Sequence, residues 1–339
     1  MNQDYAPFAE ARESQADALT AAISRLGDRV TGLADRGRLS GPGPVFVGIG
    51  ASFAAAAAPV WALRSRGVHS WRLGAGDLPI PYPVSEHPVV GISQSGRSAE
   101  TLAVLESIPR AQRIAVVNTE PSPVSGLSDC TVSLGNIEDS YASTIGYTAT
   151  VAALGMLADA WNGGEIDPGW HDLGAEFARV DGIARRRAAE LAQLFGAATS
   201  ADFVGAGPAV GSAEAGALLF REVARIPATG MSTRQYLHGS MESAGDGVHV
   251  VLGDSRELDL ARTLSSAGHH VILVSAEAVE EGPTLHPITI PRRPAAQRAV
   301  LEAAVLQSLV EAVAHERSLD IEEFVFHNAD TKVTAGEHG

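Results

Sequence analysis

Two stretches of this chain share one unusual order of residues. "VFVGIGASFAAAAA" (45–58) and "DFVGAGPAVGSAEAG" (202–216) each set an apolar run against Gly-x-Gly and then enter a segment of small residues. A buried strand that ends in a tight glycine turn and passes into a helix lying close on a sheet is the opening of a parallel βαβ unit. Its recurrence predicts that the order of elements repeats. At 339 residues the chain is long enough for two domains with sizeable cores.

The neighbouring segments agree. Around the first copy the short apolar runs "HSWRLGA", "VVGISQ", "RIAVVNT" and "CTVSLG" alternate with turn clusters and helical patterns such as "SAETLAVLESI". Around the second, "VHVVLG", "HVILVSA" and "PITIP" alternate with patterns such as "SRELDLARTLSSAG". The expected class is therefore α/β, with two tandem doubly wound parallel sheets in three-layer αβα arrangement. Residues 8–35 read as an amphipathic helix with Leu19, Ile23 and Leu26 at helical spacing. The expected division is a helical segment over 1–35, a first α/β domain over 36–165, a second over 174–323 and a tail over 324–339, with Asn162 to Asp172 as linker. The tail "FVFHNADTKVTAGEHG" has no periodicity and on that ground alone reads as a frayed terminus, yet it holds Lys332, the single lysine.

Charge narrows the partners. With 25 basic and 40 acidic residues the formal net charge is -15, which repels nucleic acid and anionic membrane surfaces. A small anion held by local dipoles is still permitted. The one cysteine, Cys130, excludes intrachain disulfides and cysteine-cluster metal sites, and its strand-like setting reads as an inert buried thiol. The uncharged run between Arg38 and Arg64 is long enough for a membrane span, but its Gly-Pro start, central glycine turn and alanine content favour a buried strand, turn and helix. The acidic start is not a signal peptide, so the expected compartment is the cytoplasm.

Two loops carry candidate chemistry. "GIGASF" has Gly48 and Gly50 but Phe53 where a dinucleotide fingerprint needs its third glycine, and Asp77 comes too late for the ribose-binding acid. The turn still aims backbone N–H groups at a ligand. "SQSGRSAET" presents Ser93, Gln94, Ser95 and Ser98 on a glycine-hinged turn with Arg97 as its only base, a cradle suited to phosphate. The plainer reading, that these hydroxyls cap a helix starting at Ala99, is compatible with it. In an open parallel sheet the ligand crevice lies beyond the carboxyl ends of the strands, so two such loops on neighbouring strands converge.

"GIGAS", "SQSGRSAET", "YASTIGYT", "FREVARI" and "YLHGSMES" occur in the order found in the SIS (sugar isomerase) phosphosugar-binding family. The chain resembles, from about residue 30 to 334, the isomerase half of glutamine:fructose-6-phosphate aminotransferase and its stand-alone relatives. The resemblance implies two SIS domains, with Ser93, Gln94, Ser95 and Ser98 on the phosphate and Ala51, Ser52, Tyr141 and Ser143 beside the sugar. It implies Glu222 as the base for C1–C2 proton transfer and His238, sixteen residues on, as the ring-opening group. Partial burial is expected to raise the Glu222 pKa. The histidine is implied to enter a neighbouring subunit's site, hence a homodimer. "DTKVT" preserves a Lys-Val-Thr that in the family carries a Schiff-base lysine, here Lys332, without the preceding Pro-Arg-Leu-like residues.

Some positions depart from the pattern. Ser98 replaces a threonine and keeps the hydroxyl, and Arg97 replaces a glutamate at a position expected to face solvent. Leu219 and Ile145 stand where the aminotransferase has lysines. No glutaminase segment precedes residue 30, so release of ammonia from glutamine by this chain is not expected. The reading is a phosphosugar isomerase or deaminase, most concretely converting glucosamine 6-phosphate to fructose 6-phosphate, with no metal and no cofactor. A deglycase of a phosphorylated fructosamine adduct and a non-catalytic sugar-phosphate-binding regulator are the alternatives.

Overall fold

A computed structural model of the chain describes residues 5–326, 328 and 330–333. The chain divides into two compact units, one running to Asp172 and including the described tail from Val325, the other Leu173–Phe324.

In the first unit, α1 (Phe8–Asp35) precedes β1 (Val45–Gly48), α2 (Ala51–Ala55), α3 (Ala57–Ser65), β2 (Trp71–Gly74), β3 (Val89–Ser93), α4 (Ala99–Glu106), β4 (Arg113–Val117), α5 (Pro123–Leu127), β5 (Cys130–Ser133) and α6 (Ile145–Ala160). The strands form one parallel sheet in the order β2-β1-β3-β4-β5. β1 and β3 are buried on both faces, which explains their unbroken apolar sequence. α6 is buried along almost its whole length and is built from alanine, glycine, threonine and aliphatics, so that α1 and α3 can pack on it closely.

In the second unit, α7 (Leu173–Ala192) leads to β6 (Ala201–Gly205), α8 (Ala209–Val223), β7 (Ala228–Ser232), α9 (Thr233–Leu237), β8 (Val248–Leu252), α10 (Arg256–Ser266), β9 (His270–Ser275), β10 (Leu285–Thr289) and α11 (Ala295–Glu316). Its parallel sheet runs β10-β9-β8-β6-β7, the strand order of the first unit. Both units are SIS-type doubly wound sheets, as the repeated strand and Gly-x-Gly order implies.

Several readings of the sequence need correcting. Within the stretch from Asn162 to Asp172, Trp170 is buried and its Nε1 donates to Asp159 at 2.8 Å, so this segment is packed against the first unit. β7 was not expected: "ATGMS" has no β-branched or aromatic run, and it becomes a strand because β6 offers it an edge. Cys130 is half-buried on the edge strand β5 rather than fully buried, and desolvation pushes its thiol pKa up against the nearby Arg38. Among the described residues no helix is long and apolar enough to cross a membrane.

Candidate functional site

In the first unit the strand order reverses between β1 and β3, and the loops leaving these strands carry the candidate residues. Ala51 and Ser52 open α2 directly after Gly50, whose φ of 57° and ψ of -127° suit glycine. Ser93 ends β3, and Gly96 turns the loop at φ 63°, where a Cβ would strike Ser122 Oγ at 2.0 Å. Any side chain at Gly96 would open this cradle.

The loop's hydroxyls face one another. Ser93 Oγ lies 2.9 Å from Ser98 Oγ and accepts from Ser98 N at 3.3 Å. Ser98 occupies the N-cap of α4, yet its side chain makes no capping bond, so the capping reading does not hold. The tail takes the first N–H of α4, Ala99 N, while among the described residues Glu100 N and Thr101 N make no hydrogen bond and remain as donors of the kind an anion takes at a helix start. Ser95 is 8% exposed, and among the described residues neither its hydroxyl nor that of Ser52 makes a hydrogen bond.

Gln94 works differently from the serines. Its amide donates to Asp139 Oδ2 at 2.6 Å, and its backbone oxygen accepts from Asn118 and Thr119. Asp139 is a hub that sequence reasoning missed. Its carboxylate also accepts from Ser143 Oγ at 2.8 Å, from Thr144 N and Oγ1 at 2.9 and 2.7 Å, and from Gly146 N at 3.0 Å. A carboxylate at the start of α6 is favoured by the helix dipole. It also ties "YASTIGYT" to the phosphate-type loop. One acid inside "NIEDSY" offers no spacing signal by which to find it.

The tail is docked, not frayed, at residues 331–333. Thr331 O accepts from Ala99 N at 3.2 Å, Val333 N donates to Arg97 O at 3.0 Å, and Lys332 bridges Ser98 in antiparallel pairing. Arg97 does not face solvent. It is half-buried, and its Nε donates to Val333 O at 2.9 Å. The loop's only cation is thereby spent on the tail. Lys332 Nζ lies 5.9 Å from the Tyr141 ring centre and 3.4 Å from Tyr5 Oη, with the two tyrosine rings edge-on at 5.1 Å. Thr334, the last member of the Lys-Val-Thr triplet, lies outside the described residues.

In the second unit Glu222 stands in the last turn of α8 and His238 immediately after α9. Desolvation raises the Glu222 pKa to about 7. By surface area Glu222 is exposed, so solvent screens much of that penalty and the upward direction is what stands. The C-terminal helix carbonyls act in the same upward direction. His238 is exposed, and among the described residues its imidazole makes no hydrogen bond; Gly239 follows at φ 139°. Leu219 is buried in α8 and Ile145 at the start of α6, so neither position presents a cation.

Fold and loop together define a tandem SIS-type α/β protein, and the comparisons agree. The first unit is an SIS domain: the SIS domain model matches residues 45–160. By sequence the chain is similar to the glutamine–fructose-6-phosphate aminotransferase of Mycobacterium tuberculosis, 27% identical over 265 residues that cover 69% of this chain and 42% of that one. The match thus spans well under half the length of such relatives. By fold it is similar to the C-terminal domain of glucosamine-fructose-6-phosphate aminotransferase from Francisella tularensis, with TM-score 0.76, 20% identity and coverage of 95% and 99% of the two chains. Glucosamine-6-phosphate deaminase from Thermotoga maritima superposes with TM-score 0.71 at 18% identity, covering 91% of this chain and 96% of that one.

Proposed function

We propose that the chain is a phosphosugar isomerase or deaminase acting on a hexosamine or ketose 6-phosphate, most concretely converting glucosamine 6-phosphate and water to fructose 6-phosphate and ammonia. The observation that carries this is the serine loop at the end of β3, where Ser93 and Ser98 pair with each other, Ser95 Oγ makes no hydrogen bond among the described residues, and the Ser98 side chain leaves the start of α4 uncapped. Ser93, Ser95 and Ser98 grip the phosphate, Gln94 braces the loop through Asp139, and Ala51, Ser52, Tyr141 and Ser143 lie beside the sugar.

The proposed chemistry runs through neutral steps. His238 moves a proton from the C1 hydroxyl to the ring oxygen, and the ring opens. Glu222 takes the C2 proton as water gives one to the C1 oxygen, leaving a neutral 1,2-enolamine; Glu222 then returns its proton to C1 as the nitrogen gives one back to water, which leaves an imine at C2. Water adds to that imine and ammonia departs. A base with a pKa near 7 suits this traffic, because it is ionised often enough to accept the proton and basic enough to hold it. Lys332, if it reaches an open-chain ketose, condenses with the C2 carbonyl and expels water. The sequence relative named above supports the substrate class, and an exposed His238 whose imidazole makes no hydrogen bond among the described residues is compatible with a homodimer in which it serves the partner's site.

The test is deuterium exchange at C2 of glucosamine 6-phosphate in heavy water, with ammonia release followed in parallel. Glu222→Gln should abolish both while binding fructose 6-phosphate normally; full exchange in that variant would sink the mechanism. Binding without exchange in the unaltered chain would favour a regulator, and turnover confined to fructosamine 6-phosphates a deglycase. In the unaltered chain kcat/KM should rise with pH through a limb near 7, because the glutamate must ionise before it can act.

A further inference from the structure

His238 follows an element too short to hold itself. α9 has five residues, and a single turn of helix has negligible stability alone. Ser232 Oγ caps it by accepting from Gln235 N at 3.3 Å, and His238 N donates to the Arg234 and Gln235 carbonyls at 3.2 and 3.1 Å. These bonds shape the turn. They do not decide where the turn sits on the sheet.

Tyr236 decides that. It is fully buried, and it joins the apolar layer of Val204, Val251, Leu260 and Leu264. Its hydroxyl lies 3.2 Å from Asp202 Oδ2 and 3.1 Å from His249 Nδ1. Asp202 and His249 are register partners on β6 and β8, on the same face as Val204 and Val251 by the two-residue repeat. Their side chains approach to 3.4 Å, and His249 is completely buried. Covering this face needs only a phenylalanine or leucine. Burying an imidazole and a phenol there beside a half-buried carboxylate instead costs free energy, which is recovered only when the groups meet with defined geometry. Such a network rewards a single placement of the turn.

The imidazole itself adds no constraint, since it makes no side-chain hydrogen bond among the described residues. Its backbone alone aims it. We propose that Tyr236 is the positioning residue for His238: its hydroxyl, clamped by Asp202 and His249, sets the point from which the imidazole two residues later is presented. The inference rests on the reading of His238 as the ring-opening group.

The experiment is steady-state turnover of glucosamine 6-phosphate by Tyr236→Phe, Asp202→Asn and His238→Ala, with calorimetric binding of fructose 6-phosphate to each. Tyr236→Phe keeps the packed ring and should lower kcat at least tenfold while KM and Kd stay within twofold. Asp202→Asn keeps volume and an acceptor and should lower kcat about threefold with the same unchanged KM; it carries the test alone should Tyr236→Phe fail to fold. A kcat within twofold of the unaltered chain in the folded variant, or kcat and affinity lost in equal proportion, overturns the proposal. Full turnover by His238→Ala is a different failure, that of the histidine's assigned role. A dead His238→Ala beside a fully active Tyr236→Phe refutes the positioning role alone.

Discussion

The two sheets share one strand order and end differently at the equivalent place. Leaving β3, the first unit passes through Ser93–Ser98 with hydroxyls that, among the described residues, bond to one another, to the Ser98 N–H or to nothing. Leaving β8, the second unit passes through Gly253, Asp254 and Ser255 to α10. There the Asp254 carboxylate accepts from Ser275 Oγ at 2.9 Å, from Ala276 N at 2.7 Å and from the Arg298 guanidinium, whose Nε also holds buried Glu302 at 2.8 Å. Burial alone would raise the Asp254 pKa, but the Arg298 bonds outweigh it and hold the carboxyl below its ordinary value. One switch point holds no anion of the protein's own, and the other is filled by one. The parallel sheet fixes where a ligand can lie, and the loop side chains decide whether that place is open.

The sharpest way to break the contrast is to give the first loop an anion of its own. In Ser98→Asp the new carboxylate would accept from Ser93 and from the N-terminus of α4, much as Asp254 satisfies its neighbours. The fold should persist, and the affinity for fructose 6-phosphate, read by calorimetry, should fall at least hundredfold, which is about 3 kcal/mol. Affinity within fivefold of the unaltered chain would show that the phosphate lies elsewhere.

Emptying the second loop should act on stability and leave binding alone. Asp254→Ala leaves the largely buried Arg298 guanidinium with Glu302 as its remaining carboxylate, a loss of about 3 kcal/mol, the lower end of the scale for broken buried pairs because one partner remains. Because the folded carboxyl is depressed, its contribution is complete above the ordinary aspartate range and disappears as pH falls through the folded value. The gap in melting temperature between Asp254→Ala and the unaltered chain should therefore narrow on acidification, with sugar-phosphate affinity unchanged at neutral pH. A gap independent of pH would mean that the carboxylate's charge contributes nothing there.

Much of this frame is readable from residues, because buried parallel strands must be apolar on both faces and glycine must stand where a strand turns tightly into a helix. "VFVGIG" and "VVGISQ" announce themselves on those grounds. β7 does not, since its strand character comes from the neighbour that pairs with it. Within the site the serines are legible as a cluster, while Asp139 is illegible because its five hydrogen bonds come from residues spread between Gln94 and Gly146. Tyr236 is hidden for the same reason: its partners, at positions 202 and 249, meet it only through strand register.

Arg97 supplies the smallest and finest test, because it asks whether the open loop is tied to the tail by chemistry that the closed loop lacks. The segment Thr331–Val333 is held by two backbone bonds, Ala99 N to Thr331 O and Val333 N to Arg97 O, together with the guanidinium on Val333 O. Arg97→Ala removes only the last, a half-exposed hydrogen bond worth about 1 kcal/mol. Tail opening should then become roughly fivefold more frequent, seen as faster amide exchange at Ala99 and Val333, while affinity for fructose 6-phosphate stays within twofold because no phosphate donor is lost. If exchange at both amides were unchanged, the backbone pairing alone would account for the docking. If affinity fell as steeply as in Ser98→Asp, the guanidinium would belong to the phosphate rather than to the tail.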